Sequence, residues 1–157
     1  MGLFTQPQQV EGLDGTRPNN FLVQNVNFAN NGWKETGKHK LFNINGAVRV
    51  RLFVVIPQNL TSGTSLATVQ CGVSPNTALF MPATGVTQLS QGKAWLDNTP
   101  STQYPYGKII DFVFAAGGAI GYEVAVEATT GGQISFACWS EPLDPMGNVT
   151  LGDGTAF

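Results

Sequence analysis

The sequence predicts an all-β protein, an antiparallel sandwich of jelly-roll-like type with about eight strands. Its 157 residues are 42% hydrophobic and only 11% charged, and they include 19 glycines and 9 prolines, a composition typical of short strands joined by tight turns. Apolar and polar residues alternate along several segments, and none follows the 3.6-residue period of an amphipathic helix. One long connection among about eight strands favours a jelly roll over an immunoglobulin-like sandwich.

Three parts are predicted along the chain. Residues 1–20 are interpreted as an N-terminal arm, because the isolated apolar residues there follow no period. Residues 21–140 are predicted to form the sandwich. Residues 141–157 contain two prolines and three glycines and are interpreted as a C-terminal tail or arm.

The first half of the sandwich contains its clearest strand, which is predicted at 48–56. Five apolar residues share one face of it: Val48, Val50, Leu52, Val54 and Ile56. The other face begins with Arg49 and Arg51 and continues with Phe53 and Val55. We therefore expect this strand to begin half-exposed, to end buried on both faces and to stop at Pro57. The other strands predicted in this half lie at 21–28, 38–44, 65–73 and 78–81, with a weaker one at 86–89.

The second half begins with a long polar connection over residues 90–106. Three strands then follow at 108–114, 119–128 and 133–140, separated by the turn signals Gly117-Gly118 and Thr130-Gly131-Gly132. A connection of this length inside a compact domain usually has a role of its own.

Few residues could take part in catalysis. The single histidine, His39, lies between two lysines and is interpreted as an exposed residue of a polar strand. Glu123 and Glu127 share one strand face, and we expect them to pair with Arg49 and Arg51 across strands. No catalytic residue is predicted.

Neither a metal nor a cofactor is predicted. The oxygen donors at 144–148 and 152–154 are explained by turn chemistry. Cys71 and Cys138 each lie in an apolar strand and are predicted to be buried thiols, with a disulfide as the alternative.

Charge and hydropathy narrow the range of partners. The net charge of −2 argues against nucleic acid, whose phosphates require a basic surface. No apolar stretch approaches the length of a membrane span, and the first residues do not resemble a secretory signal. We expect the protein to be made in the cytoplasm.

Three stretches, at 46–55, 92–97 and 121–143, resemble small structural proteins of tailed bacteriophages, specifically capsid cement (decoration) proteins. The resemblance covers about residues 46–150. It implies a jelly roll that sits as a dimer or trimer on the outer capsid surface of the virion, binds the major capsid protein and bridges neighbouring subunits to stabilise the head. The residues expected to anchor such contacts are Leu3, Phe4, Trp95, Leu143, Met146 and Phe157.

Alternatives remain open at this stage. Each arm or tail residue has the alternative of folding back onto its own domain. The chain is otherwise interpreted as a carbohydrate- or receptor-binding domain of a phage tail or fibre, which would need Trp95, Tyr104 and Tyr106 exposed in one groove. An enzyme would need two opposed carboxylates, and Asp97 and Asp111 are the pair to test.

Overall fold

The computed structural model describes residues 20–95 and 111–157. Within these residues, ten strands form two antiparallel sheets of five strands each, accompanied by one 3-10 turn at Val86–Gln88 and no α-helix. The predicted all-β antiparallel sandwich is confirmed.

Sheet A has the strand order β1-β9-β3-β6, and β7 also pairs with β3. Its strands are β1 (Phe21–Asn27), β3 (Val48–Ser62), β6 (Ala94–Trp95), β7 (Phe112–Phe114) and β9 (Thr129–Pro142). Sheet B has the order β10-β2-β8-β4-β5. Its strands are β2 (Gly37–Asn45), β4 (Thr68–Val73), β5 (Met81–Gly85), β8 (Gly118–Ala125) and β10 (Asn148–Leu151).

The chain crosses repeatedly between the two sheets, as in a jelly roll. β1, β3 and β9 lie in sheet A, whereas β2, β8 and β10, which lie between or after them in the chain, belong to sheet B. Apart from β4 and β5, strands that pair within a sheet are therefore distant in sequence. This is the arrangement of a double-sheet jelly roll. The count exceeds eight because β6 and β7 pair separately with β3 and because β10 adds an edge to sheet B.

The core lies between the sheets and is built around β3. Its five alternating apolar residues are all buried, with relative exposures of 2% or less. They lie beside the inward residues of β9, such as Phe136, and face those of β8 in the other sheet, such as Tyr122. The rings of Phe136 and Tyr122 stack across the core with centroids 5.6 Å apart. Alternation along the strand therefore places one complete face of β3 in the interior, as predicted.

Three strand predictions are wrong in detail. The strand predicted at 78–81 is shifted along the chain, because β5 runs from Met81 to Gly85 and shares only Met81 with it. β3 continues through Pro57 to Ser62, because its register with β9 shifts between Val55 and Gln58 and Pro57 falls where no regular ladder hydrogen bond is required. The segment predicted as a weak strand at 86–89 forms the 3-10 turn instead.

The predicted boundary at residue 140 does not match a boundary of the fold. β9 continues to Pro142, and β10 pairs with β2 at the edge of sheet B. Beyond β10 the chain still follows β2, since the amide of Gly152 donates to the Leu41 carbonyl at 2.7 Å and the amide of Lys40 donates to the Thr155 carbonyl at 2.7 Å. Pairing at a sheet edge depends on backbone hydrogen bonds. It therefore requires little alternation of apolar and polar side chains, and a segment rich in proline and glycine shows none that would predict it.

Candidate protein-interaction surface

The predicted interface residues do not form one cluster. Leu3 and Phe4 lie outside the described residues. Leu143 and Met146 lie on the connection from β9 to β10 and are 45% and 74% exposed. They remain available for contact, but they are separate from the other predicted anchors.

Trp95 is not on the surface, contrary to the prediction. It pairs with Val54 at the inward-facing side of β3 and is 1% exposed. Among the described residues, its indole Nε1 has no hydrogen-bond partner. A large ring beside the inward face of β3 fills the core, and the polar residues around it in the sequence concealed this.

Phe157 folds back onto its own domain. Its ring lies over Gly121 of β8, where a Cβ atom would overlap it. Gly121 alternates with the inward-facing Ile120 and Tyr122, so Phe157 covers the outer face of sheet B. The predicted alternative for this residue, packing against its own sandwich, is the one observed.

Sequence reasoning did not identify the exposed apolar surface on the outer face of sheet A, which is the candidate interaction surface. The register aligns Phe21 with Trp139 and Arg51, Val23 with Ala137 and Phe53, and Asn25 with Ser135 and Val55. Six apolar side chains in these rows define what we call the sheet-A docking face: Phe21, Val23, Phe53, Val55, Ala137 and Trp139. Phe21, Val23 and Val55 are 48%, 42% and 42% exposed, and the other three are half-buried.

Polar groups border the sheet-A docking face at both ends of the strands. At one end, Arg49 donates to Glu141 at 3.1 Å, and Arg51 forms an ion pair with Asp111 while its guanidinium lies 5.0 Å from the ring centroid of Trp139. At the other end lie uncharged groups, including Asn25, whose side-chain oxygen accepts from the Ser135 hydroxyl at 2.6 Å. An apolar centre with a polar rim is the usual anatomy of a protein interface.

These ion pairs replace those that we expected. Arg49 and Arg51 lie in sheet A beside β9 and β7, so their partners are Glu141 and Asp111. The predicted partners, Glu123 and Glu127, belong to the β8 side of the molecule in sheet B. The hydrogen bond from Arg51 lowers the pKa of Asp111, so this carboxylate remains charged in neutral solution.

The outward-facing residues of β3, Phe53 and Val55, help to make the sheet-A docking face apolar. We expected β3 to end buried on both faces because Phe53 and Val55 follow the arginines. Only the inward face is buried among the described residues, and Val55 is 42% exposed. The sequence of β3 is therefore apolar on both faces, as in a strand that is buried on both sides, but its outer face remains exposed.

His39 is buried and is not the exposed residue that we predicted. Its ring is 6% exposed and stacks on Tyr122, with centroids 4.9 Å apart. Nδ1 lies 3.0 Å from the carbonyl oxygen of Gly32 and 3.2 Å from that of Gly154, and Nε2 lies 2.7 Å from that of Glu35. The side chain thus joins the β1–β2 connection to the segment after β10, which is a structural role.

Glu127 holds the loop between β3 and β4. Its carboxylate accepts hydrogen bonds from the Thr64 hydroxyl at 2.7 Å and from the Leu66 amide at 3.1 Å. Hydrogen bonds from Ser62 and Thr64 lower its pKa to about 2. The adjacent Val126 has φ 77°, a backbone conformation that is strained for a β-branched residue.

A surface depression of about 490 Å³ lies beside Phe157. Phe112, Phe114 and Phe157 supply much of its wall, and Lys40 and Ser74 supply its polar side chains. The described residues that line it include no pair of carboxylates, which is the arrangement that a glycoside hydrolase requires.

The two cysteines occupy buried positions. Cys71 and Cys138 are buried free thiols, as predicted, and burial raises the pKa of Cys138 to about 12. Across residues 20–95 and 111–157, no three His, Cys, Asp or Glu side chains are grouped so that they could hold a metal ion. The same ranges contain no helix with the length and hydropathy needed to cross a membrane.

Comparison with known proteins returned no match to a family model, to a curated protein or to a solved structure.

Proposed function

We propose that this protein is a non-catalytic structural component of a larger protein assembly, and specifically a decoration protein that binds the outer surface of a bacteriophage head. In this role it contacts the major capsid protein, bridges neighbouring subunits and stabilises the shell. The observation that carries the proposal is the sheet-A docking face, an exposed apolar sheet surface with a polar rim.

The composition supports the same role. Charged residues are 11% of the chain, well below the roughly one quarter that is typical of soluble domains. A surface with few charges has a less favourable hydration free energy than a charged one. Its desolvation on binding therefore costs less free energy. Contact with a flat protein lattice suits the sheet-A docking face better than it suits a small, deep-binding ligand.

The carbohydrate-binding alternative loses one of its three markers. It requires Trp95 to stack on a sugar in an exposed groove with Tyr104 and Tyr106, and Trp95 is 1% exposed. Tyr104 and Tyr106 lie outside the described residues.

A capsid-retention experiment tests the proposal. The full chain is mixed with shells assembled from a major capsid protein of the genome that carries its gene, and the bound fraction is measured after sedimentation through a cushion. We expect saturable binding. Val23→Glu and Val55→Glu should weaken retention by at least about tenfold, because each places a charge at the apolar centre of the face.

Leu151→Glu is the matched control, because Leu151 is 49% exposed but belongs to β10 in sheet B. It should retain wild-type binding. If the wild-type chain does not bind shells, or if all three variants bind equally, the proposal is wrong.

A further inference from the structure

Asn45 is exposed, ends β2 and is followed by Gly46, and we infer that it is a site of spontaneous deamidation. In this reaction the backbone nitrogen of Gly46 attacks the side-chain amide carbon of Asn45. The product carries a carboxylate where the amide was, beside the connection from β9 to β10. The inference concerns the covalent chemistry of the chain itself, and it does not depend on the proposed function.

The reaction requires only water as a co-reactant. A bond forms between the Gly46 nitrogen and the Cγ atom of Asn45, and the bond from Cγ to the side-chain nitrogen breaks. Ammonia leaves with the proton that the Gly46 nitrogen loses. Water then opens the resulting succinimide ring at either of its two carbonyl groups. One opening gives aspartate, and the other gives isoaspartate, in which the main chain runs through the side-chain carbon atoms.

The packing of the fold explains why glycine follows Asn45. Gly46 has φ 66°, which lies in the left-handed region that glycine adopts without strain. A Cβ atom at this position would also lie 2.8 Å from the Asp144 side chain and 2.8 Å from the Met146 backbone. Because Gly46 has no side chain, its nitrogen is unhindered for ring closure. The β9–β10 connection therefore requires the residue that makes Asn45 most reactive.

A second Asn-Gly pair, Asn31-Gly32, provides an internal comparison. Both asparagines are exposed, and neither side chain makes a hydrogen bond among the described residues. The two glycine amides differ. The Gly32 amide donates to the Glu35 carboxylate at 2.8 Å, whereas the Gly46 amide has no acceptor in the parts of the chain that the structure describes. Because the charge-assisted hydrogen bond has to break before the Gly32 nitrogen attacks, Asn31 reacts more slowly.

The turn after β2 and the β9–β10 connection hold each other through Asp144. Its carboxylate accepts from the Ala47 amide at 3.1 Å and from the Met146 amide at 2.9 Å. A carboxylate at position 45 adds a second negative charge close to that of Asp144, and the two charges repel. Isoaspartate also lengthens the main chain where Asn45 pairs with Asn148, the first residue of β10. Deamidation therefore loosens this connection, which carries the exposed Met146.

Timed incubation of the full chain in warm, mildly alkaline buffer tests the inference, since base removes the proton of the attacking amide. Each converted asparagine gains one dalton and one negative charge, so a single conversion takes the formal net charge from −2 to −3. Peptide mass mapping measures the two asparagines separately. We expect aspartate and isoaspartate to form at least about tenfold faster at position 45 than at position 31, the ratio that one charge-assisted hydrogen bond supplies.

Matched variants show whether the hydrogen bond sets this difference. Asn45→Gln should abolish conversion at position 45, because the longer side chain would have to close a six-membered ring. Glu35→Ala frees the Gly32 amide and should raise the rate at Asn31 by about tenfold, without changing the rate at Asn45. Lys34→Ala leaves that hydrogen bond in place and should change neither rate.

Hydrogen exchange measures the structural consequence. In Asn45→Asp, which carries the product charge from the start, the Ala47 and Met146 amides should exchange faster than in wild type, and the amides of β8 should not change. Unchanged exchange at both amides would refute the loosening of the connection. In the wild-type chain, absence of conversion at Asn45, or equal or faster conversion at Asn31, would overturn the inference.

Discussion

The ring of Phe157 packs against the backbone of Gly121, and the missing side chain of Gly121 is what makes room for it. We therefore predict that Phe157→Ala lowers the free energy of unfolding by about 1–2 kcal/mol, since a half-buried phenyl ring loses its contacts. Gly121→Ala should also destabilise the fold, because the added Cβ overlaps both the Phe157 ring and the carbonyl oxygen of His39. Urea unfolding of both variants measures the effects.

The two substitutions should be coupled. Once the ring of Phe157 is absent, the methyl group of Gly121→Ala has fewer atoms to displace, so the double variant should be less destabilised than the sum of the single variants. Met146→Ala is the control, because this side chain is 74% exposed and its removal should change stability by less than about 0.5 kcal/mol. Strict additivity would show that the ring does not occupy this position in solution.

A second prediction concerns His39, whose ring nitrogens contact three backbone carbonyl groups. His39→Ala should lower the free energy of unfolding by about 2–4 kcal/mol, because it leaves a cavity against Tyr122 and removes the partners of buried carbonyls. Lys38→Ala, one residue away on the exposed side of β2, should have little effect. Equal stability of the two variants would contradict the buried position of His39.

A third prediction is a pH dependence that originates at Glu127. Its pKa is lowered from 4.5 to about 2 in the folded state, so the charged carboxylate stabilises the fold fully above about pH 4.5. That contribution is lost as the pH falls through about 2. Glu127→Gln should therefore unfold more easily than wild type at pH 7, and the difference should shrink as the pH is lowered from about 4.5 to 2.

Acid-dependent chemical unfolding checks this prediction. Thr64→Val removes the hydroxyl that donates to Glu127 at 2.7 Å, and it should reproduce part of the same pH-dependent loss. A difference between wild type and Glu127→Gln that stays constant from pH 7 to pH 2 would contradict the assigned hydrogen bonds.

Much of the fold could be predicted because it depends on alternation. The inward residues of β3 follow the two-residue period without interruption, and they form the core as expected. The C-terminal segment could not be predicted in this way. β10 and Gly152–Thr155 are held mainly by backbone hydrogen bonds to β2, and these depend little on which side chains are present.

The exposed apolar face of sheet A was harder to predict, for a different physical reason. Phe53 and Val55 are as apolar as core residues, and one sequence cannot distinguish a face that the chain covers itself from one that another protein covers. For His39 the error was the reverse, because a residue predicted to be exposed is buried. The flanking lysines point outward, whereas the ring points inward. The partners of Arg49 and Arg51 required knowledge of which strands become neighbours.

The position of Phe157 on the outer face of sheet B has a practical consequence for engineering. Residues joined after it would begin on the side of the sandwich opposite the sheet-A docking face. Cargo fused there, such as an enzyme or a fluorescent domain, would project away from the contact surface. Under the proposed function, such cargo would not compete for the sheet-A docking face, provided that the fusion leaves the aromatic ring packed over Gly121.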